Sequence, residues 1–218
     1  MRGFLLEMMK CHIKDLGLIS YQEAYEIQKK TVEEVIKGAP QTIFLCEHPT
    51  VLTMGRMAHK EHLLVSEDKM KQEGIPIYWI DRGGDITLHA PGQLVIYPIL
   101  NLNLGERDLH EYLRKLEEVA IALLKRFGIV ANRFSDKTGV WVDQKKIVSM
   151  GIGVRRWVTF HGLALNVNTD LKLFQWIKPC GLDVEMTSMA AIKGKNLKME
   201  DVKDKIRDSF QEIFGLEI

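Results

Sequence analysis

The tightest constraint on the fold is a change of hydrophobic period along the chain. Between residues 108 and 127, Leu109, Leu113, Leu116, Ala120, Leu123 and Phe127 recur at helical spacing. Asp108 and Glu111 supply a capping pair at the start, and Gly128 supplies a stop. The period then shortens to that of strands, over 129–134, 139–142, 147–154 and 160–167. Asp143-Gln144-Lys145-Lys146 reads as the turn of a hairpin between two of them. Upstream, Ser20 and Glu23 open a helix that ends near Gly38, with Tyr21, Ala24, Tyr25, Val32, Val35 and Ile36 on one face. Strands are expected over 41–47, 75–80, 86–88 and 94–100, with Pro98 near an edge or an end. A short polar helix is expected over 67–73. A final amphipathic helix spans 200–214, with Val202, Ile206, Ser209, Phe210 and Ile213 inward. Helices interleaved with hairpins predict an α/β (α+β) fold built on a mixed β-sheet flanked by helices.

Composition narrows the class. The chain has 218 residues, 46% of them hydrophobic, and no linker or repeat divides it, so one domain over 1–218 is expected. Thirty Lys and Arg against 29 Asp and Glu leave a net charge of +1. That balance argues against binding nucleic acid or anionic lipid through bulk charge. No apolar run approaches the ~18 residues of a membrane span. The N-terminal segment meets Glu7 too early for a signal-peptide core, so a cytoplasmic location is expected. Three cysteines, Cys11, Cys46 and Cys180, without a CxxC spacing, indicate neither a disulfide framework nor a thiolate zinc site. The seven histidines show no metal-ligand spacing, and the phosphate-loop and dinucleotide glycine patterns are absent, so no metal or cofactor is implied.

Four places can carry chemistry. In Arg82-Gly83-Gly84-Asp85-Ile86-Thr87-Leu88-His89, the paired glycines let the backbone approach a ligand closely. The alternative is a plain hairpin with a surface arginine. Cys180 lies between Pro179 and Gly181, in a turn, where it is either a reactive thiol or a semi-buried structural one. Cys46, in an apolar strand, reads as inert, and Cys11 has no local activator. Lys146 closes a turn, where lysines are ordinarily solvated; beside a thiol it would stabilise the thiolate and, when neutral, accept a proton. His161, in a strand of small residues, fits a hydrogen-bonded supporting histidine better than a catalyst.

Taken in order, these fragments resemble the lipoyl(octanoyl) transferase family, the octanoyltransferases of lipoate biosynthesis. The resemblance runs from Glu47-His48-Pro49 and Thr53-Met54-Gly55-Arg56 through the Arg82–His89 run and Ala90-Pro91-Gly92-Gln93. It continues in Thr138-Gly139-Val140-Trp141-Val142, Lys146-Ile147, Gly151-Ile152 and His161-Gly162-Leu163-Ala164-Leu165-Asn166. It ends in Pro179-Cys180-Gly181 and Thr187-Ser188. It implies the mixed α/β catalytic domain of biotin and lipoate protein ligases. It also implies transfer of an octanoyl group from octanoyl-acyl carrier protein to a lysine. That lysine lies on a lipoyl domain of a 2-oxoacid dehydrogenase E2 subunit or on the glycine cleavage H protein. By the resemblance, Cys180 carries the acyl group as a thioester, and Lys146 lowers its pKa and moves protons. Arg82, Gly83, Gly84, Asp85, Ile86, Thr87, Leu88 and His89 line the acyl site with Ser149, Met150, Gly151, Gly162, Leu163 and Ala164. Leu88, Asp85, Ala90 and Gly153 depart from the common pattern, the last where a basic residue is frequent. Three rivals share parts of this reading. They are an ATP-dependent lipoate or biotin ligase, an octanoyl amidotransferase acting between lipoyl-domain proteins, and a non-catalytic carrier-binding module.

Overall fold

The computed structural model describes residues 10–105, 107–179 and 184–218. In chain order its strands and helices are β1 (Cys11–Leu18), α1 (Tyr21–Ile36), β2 (Gln41–Glu47), β3 (Val51–Met54), α2 (Glu67–Gln72), β4 (Ile77–Trp79) and β5 (Ile86–His89). There follow β6 (Gln93–Ile99), α3 (Leu109–Arg126), β7 (Val140–Val142), β8 (Lys145–Arg155), β9 (Val158–Asn166), α4 (Met189–Lys193) and α5 (Met199–Phe214). Six strands form one sheet in the order β1-β2-β6-β9-β8-β7, and three form a second, β4-β3-β5. β1 pairs with β2, and β3 with β4, in parallel; the other pairings are antiparallel. Both sheets are therefore mixed, as the interleaved pattern predicts.

Each face of the large sheet is covered. On one side α3 and α5 seal a core that includes Ile43, Leu94, Val148 and Leu165 with Leu116, Leu123, Ile206 and Phe210. On the other side α1 packs Ala24, Val32 and Val35 over Phe44, Val95, Tyr97 and Ala164. The small sheet has its own core of Leu52, Met70, Ile86, Leu88, Phe174 and Ile177. Helix α1 starts at the expected cap: the Glu23 N–H donates to Ser20 Oγ at 3.2 Å, and Ser20 Oγ donates back to the Glu23 carboxylate at 2.6 Å.

Several expectations are corrected. The buried face of α3 is Tyr112, Leu116, Val119, Ala120, Leu123 and Leu124, while Leu109 is exposed. This helix packs against α5 as well as the sheet, which turns and widens the buried stripe. Residues 129–134 form no strand; a single bridge joins Asn132 to Trp141 on the three-residue edge strand β7. The strand β3 is not among the expected strands, because all four of its residues are buried and show no alternation of polar and apolar positions. Pro98, by contrast, lies near the end of β6 as expected, past the last β6–β9 pair at Ile96 and Leu163, where its missing N–H leaves no gap in the ladder.

Candidate active site

The two sheets meet along a narrow cleft. The small sheet and its β4–β5 loop give Ile80, Arg82, Thr87 and His89. The large sheet gives Val95, Tyr97, Ser149, Met150, Gly151 and the run from His161 to Ala164, and α1 contributes Tyr21. Strand alternation decides the small sheet's share. Thr87 and His89 line the cleft, whereas Ile86 and Leu88 point into the small core at 1% and 0% exposure. These two, expected at the acyl chain, instead hold the wall from behind.

The Arg82 loop is set by close backbone contacts. The Gly83 N–H donates to Ile152 O at 2.8 Å, which clips the loop onto β8. A Cβ on Gly151 would stand 2.7 Å from Gly83 O, and one on Gly55 would stand 2.3 Å from Gly84 O. Glycine is therefore required where these three strands of chain converge. Buried Arg82 donates from Nη2 to Thr53 O and Oγ1 at 2.9 and 3.1 Å, which presents a fixed cation on the wall. Asp85 lies behind the loop and faces away from the cleft. It accepts from the Ile86 N–H at 2.7 Å and pairs with His62. Gly153, where the family often has a basic residue, has a packing reason: a Cβ there would lie 2.4 Å from the Phe160 ring.

Lys146 is 3% exposed, against the solvated turn position that spacing alone favours. The turn is confined to Asp143 and Gln144, and Lys146 belongs to β8. A bulge explains its direction. Trp141 pairs with Lys146 but Val140 pairs with Val148, so β8 holds one extra residue there. Ile147 and Val148 both enter the α3 core. Lys146 is thereby switched to the opposite face, that of Ser149 and Ala164 on the cleft, with its Nζ 5.4 Å from the centre of the Trp141 ring. Glu117, 1% exposed on α3, accepts from the Gly139 N–H at 3.0 Å. That holds Gly139 where a Cβ would stand 2.6 Å from Lys146 Cε.

Cys180 lies outside the described residues. The chain on either side of it is anchored. The Lys178 N–H donates to His62 O at 2.7 Å. The Lys146 N–H donates to Glu185 O at 2.8 Å, and the Thr187 N–H donates to Lys146 O at 2.9 Å.

His161 is buried and supporting in its contacts. Its Nε2 bonds Asp81 Oδ1 at 3.0 Å and its ring stacks on Tyr25 at 5.4 Å. Its backbone is left-handed at φ 57°, and its N–H turns away from β6 to donate to Gln28 Oε1 at 2.8 Å. Burial pushes its pKa down, and that of His48 likewise. Burial takes His89 down to about 3. The cleft histidines are thus neutral near pH 7. Sequence reading missed Tyr21, Tyr97 and Asp81 as parts of this site. Tyr21 reads as an ordinary position on the apolar face of α1, Tyr97 is simply part of the expected strand 94–100, and only the tertiary fold turns Tyr21 from a helix face to a cleft wall.

Two packed sheets with an apolar cleft between them, and a buried lysine on the sheet face that lines it, define an α/β small-molecule enzyme domain. Solved structures share this fold. A lipoate-protein ligase A bound with ATP superposes with a TM-score of 0.79 at 16% identity, covering 96% of this chain and 86% of that one. A biotin protein ligase from Aquifex aeolicus, in complex with biotin and ATP, gives 0.58 at 17% identity, over 94% and 70%. The Lipoyl protein ligase A/B catalytic domain family model matches residues 20–211, and the chain belongs to that family. An octanoyltransferase from Syntrophotalea carbinolica is 49% identical over 92% of this chain and 93% of its own. One from Caldicellulosiruptor bescii is 47% identical over 92% and 90%. No helix among the described residues is long and apolar enough to cross a membrane.

Proposed function

We propose that this protein is an octanoyltransferase that moves an octanoyl group from octanoyl-acyl carrier protein to a lysine of a lipoyl domain, through a thioester on Cys180. The observation that carries this reading is the setting of Lys146. It is buried on the cleft face and bonded on both sides to the segment Glu185–Thr187 that follows Cys180. The relatives named octanoyltransferase support the same reading.

The Cys180 thiolate attacks the thioester carbonyl, and the tetrahedral adduct expels the carrier's thiolate. The proton released from the Cys180 thiol passes through Lys146 to that leaving sulfur. In the second step the acceptor lysine's neutral amine attacks the acyl-enzyme and expels the Cys180 thiolate. The amine's surplus proton goes to Lys146. One thioester is exchanged for another and then for an amide, so no nucleotide enters the balance. Burial of the chain contributes ~0.8 kcal/mol per CH₂ and keeps water from the thioester. Single-domain organisation and the H protein and E2 subunits as acceptors belong to this proposal.

Intact mass after incubation with octanoyl-acyl carrier protein tests it. An octanoyl adduct mapping to Cys180 is expected, and it should disappear in Cys180→Ala. Activity of Cys180→Ala with ATP and free octanoate would assign the protein to the ligases instead. Preference for octanoylated H protein over the carrier as donor would assign it to the amidotransferases.

A further inference from the structure

A directional chain of buried hydrogen bonds joins the cleft wall to Lys146. His89 Nδ1 lies 2.8 Å from Gln93 Oε1. Gln93 Nε2 donates to Asn166 Oδ1 at 2.9 Å, and Asn166 Nδ2 donates to Thr187 O at 3.0 Å. The Thr187 N–H donates to Lys146 O at 2.9 Å. Gln93 and Asn166 are each 1% exposed. The direction is fixed from the Thr187 end. A carbonyl only accepts, so the Asn166 atom facing it is the amide nitrogen. Asn166 Oδ1 therefore faces Gln93 Nε2, and Gln93 Oε1 faces His89. Reversing either amide would oppose two acceptors or two donors in a dry interior. The imidazole proton accordingly sits on Nδ1.

Nε2 of His89 is then a bare lone pair. Among the described residues it has no protein partner, and it is not one of the sealed buried polar atoms. His89 lines the cleft, so this lone pair belongs to the cleft wall. Its position along the cleft follows from register. Gln93 faces Asn166 across β6 and β9, and the next residue, Leu165, faces Val148, two residues from Lys146. The chain of bonds closes the Lys146 end.

We propose that Gln93 and Asn166 are positioning residues that hold His89 in the Nδ1–H form, so that its Nε2 accepts an N–H of the incoming lysine amine. This rests on the acyl-transfer reading of the cleft. A thioester offers only acceptors at its reacting group, whereas the attacking amine offers N–H donors, so a fixed acceptor suits the second step and not the first. The hydrogen bond orients the amine. The N–H stays on nitrogen, and the surplus proton still goes to Lys146.

Histidine-labelled protein and nitrogen-15 NMR test the assignment. Wild type should show His89 protonated at Nδ1 alone. Gln93→Met removes the acceptor and should shift the proton toward Nε2, while Gln93→Glu keeps an oxygen at Nδ1 and should keep the tautomer. In single turnovers, Gln93→Met should acylate Cys180 at close to the wild-type rate. Its transfer to a lipoyl domain should fall about 10- to 100-fold, the scale of a misplaced reacting group. Gln93→Glu should transfer faster than Gln93→Met. A proton on Nε2 in wild type overturns the proposal, as does equal slowing of both steps or unchanged transfer with the tautomer shifted. Should Gln93→Met fail to fold, the wild-type spectrum still decides the tautomer. If wild type forms no acyl-enzyme, the acyl-transfer reading fails by itself while the spectra still report on His89.

Discussion

Gly83 and Gly162 look alike as small residues of an acyl slot, yet the structure predicts opposite responses to alanine. Gly162 has φ +158°, and a Cβ there would stand 2.3 Å from Ile96 O and 2.7 Å from Pro98 Cδ. The first contact is backbone in a central strand, so no side-chain rotation relieves it. Overpacking of this kind costs about 1–3 kcal/mol, and forcing an alanine into a sparsely populated backbone region adds a comparable amount. We therefore expect Gly162→Ala to lose about 2–5 kcal/mol, a large part of the ~5–15 kcal/mol that holds a typical domain together. At ~2–4 °C per kcal/mol for a chain of this size, the Tm should drop by roughly 5–20 °C. Gly83→Ala is the control. Its Cβ would meet only Ile152 O at 3.6 Å, an ordinary contact at an unstrained φ. Its stability should stay within about 0.5 kcal/mol of wild type. Urea unfolding monitored by tryptophan fluorescence measures both. Equal midpoints for the two variants would refute the argument that the close approach of β9 to β6 demands glycine.

Other expectations follow from the same geometry. Because burial depresses the folded-state pKa of His89 to about 3, the unfolded chain binds protons that the native state refuses as pH falls below ~6.5. Stability is therefore complete above that value and declines toward pH 3, His48 and His161 acting with the same sign, and urea midpoints across this range should fall steadily. Glu117→Leu leaves the buried Gly139 N–H without its acceptor and removes the ion pair to Arg114 at 2.7 Å. It should cost about 1–3 kcal/mol by thermal unfolding, with slowed transfer as Gly139 loosens beside Lys146. Burial raises the Cys11 thiol to about 12 and pushes Cys46 further up. Alkylation of the native protein at pH 8 should therefore leave both unmodified, and peptide mapping that finds either labelled before unfolding would contradict their burial. Lys146→Met should slow iodoacetamide capture of Cys180 at neutral pH, and an unchanged rate would remove Lys146 as the group that supports the thiolate.

Local pattern alone determined much of this protein. The Ser20 cap, the stop near Gly38, the inward Val202, Ile206 and Phe210 of α5 and the inert strand thiol of Cys46 follow from spacing and side-chain chemistry. They depend on period and propensity, which neighbours in sequence settle. The tertiary structure alone decided which way things point. A one-residue bulge in β8 carries Lys146 from a solvated turn to the buried sheet face it shares with Ser149, because strand register fixes the face of every side chain beyond it. The same rule sends Thr87 and His89 into the cleft and Ile86 and Leu88 away from it. Residues 129–134 carry a strand-like pattern but, among the described residues, find a strand partner only at Asn132, since pairing needs a neighbour that the sequence around them does not supply. Glu117, Asp81 and Asn166 stand far along the chain from the residues they hold. Their roles exist only once the sheets and helices have packed.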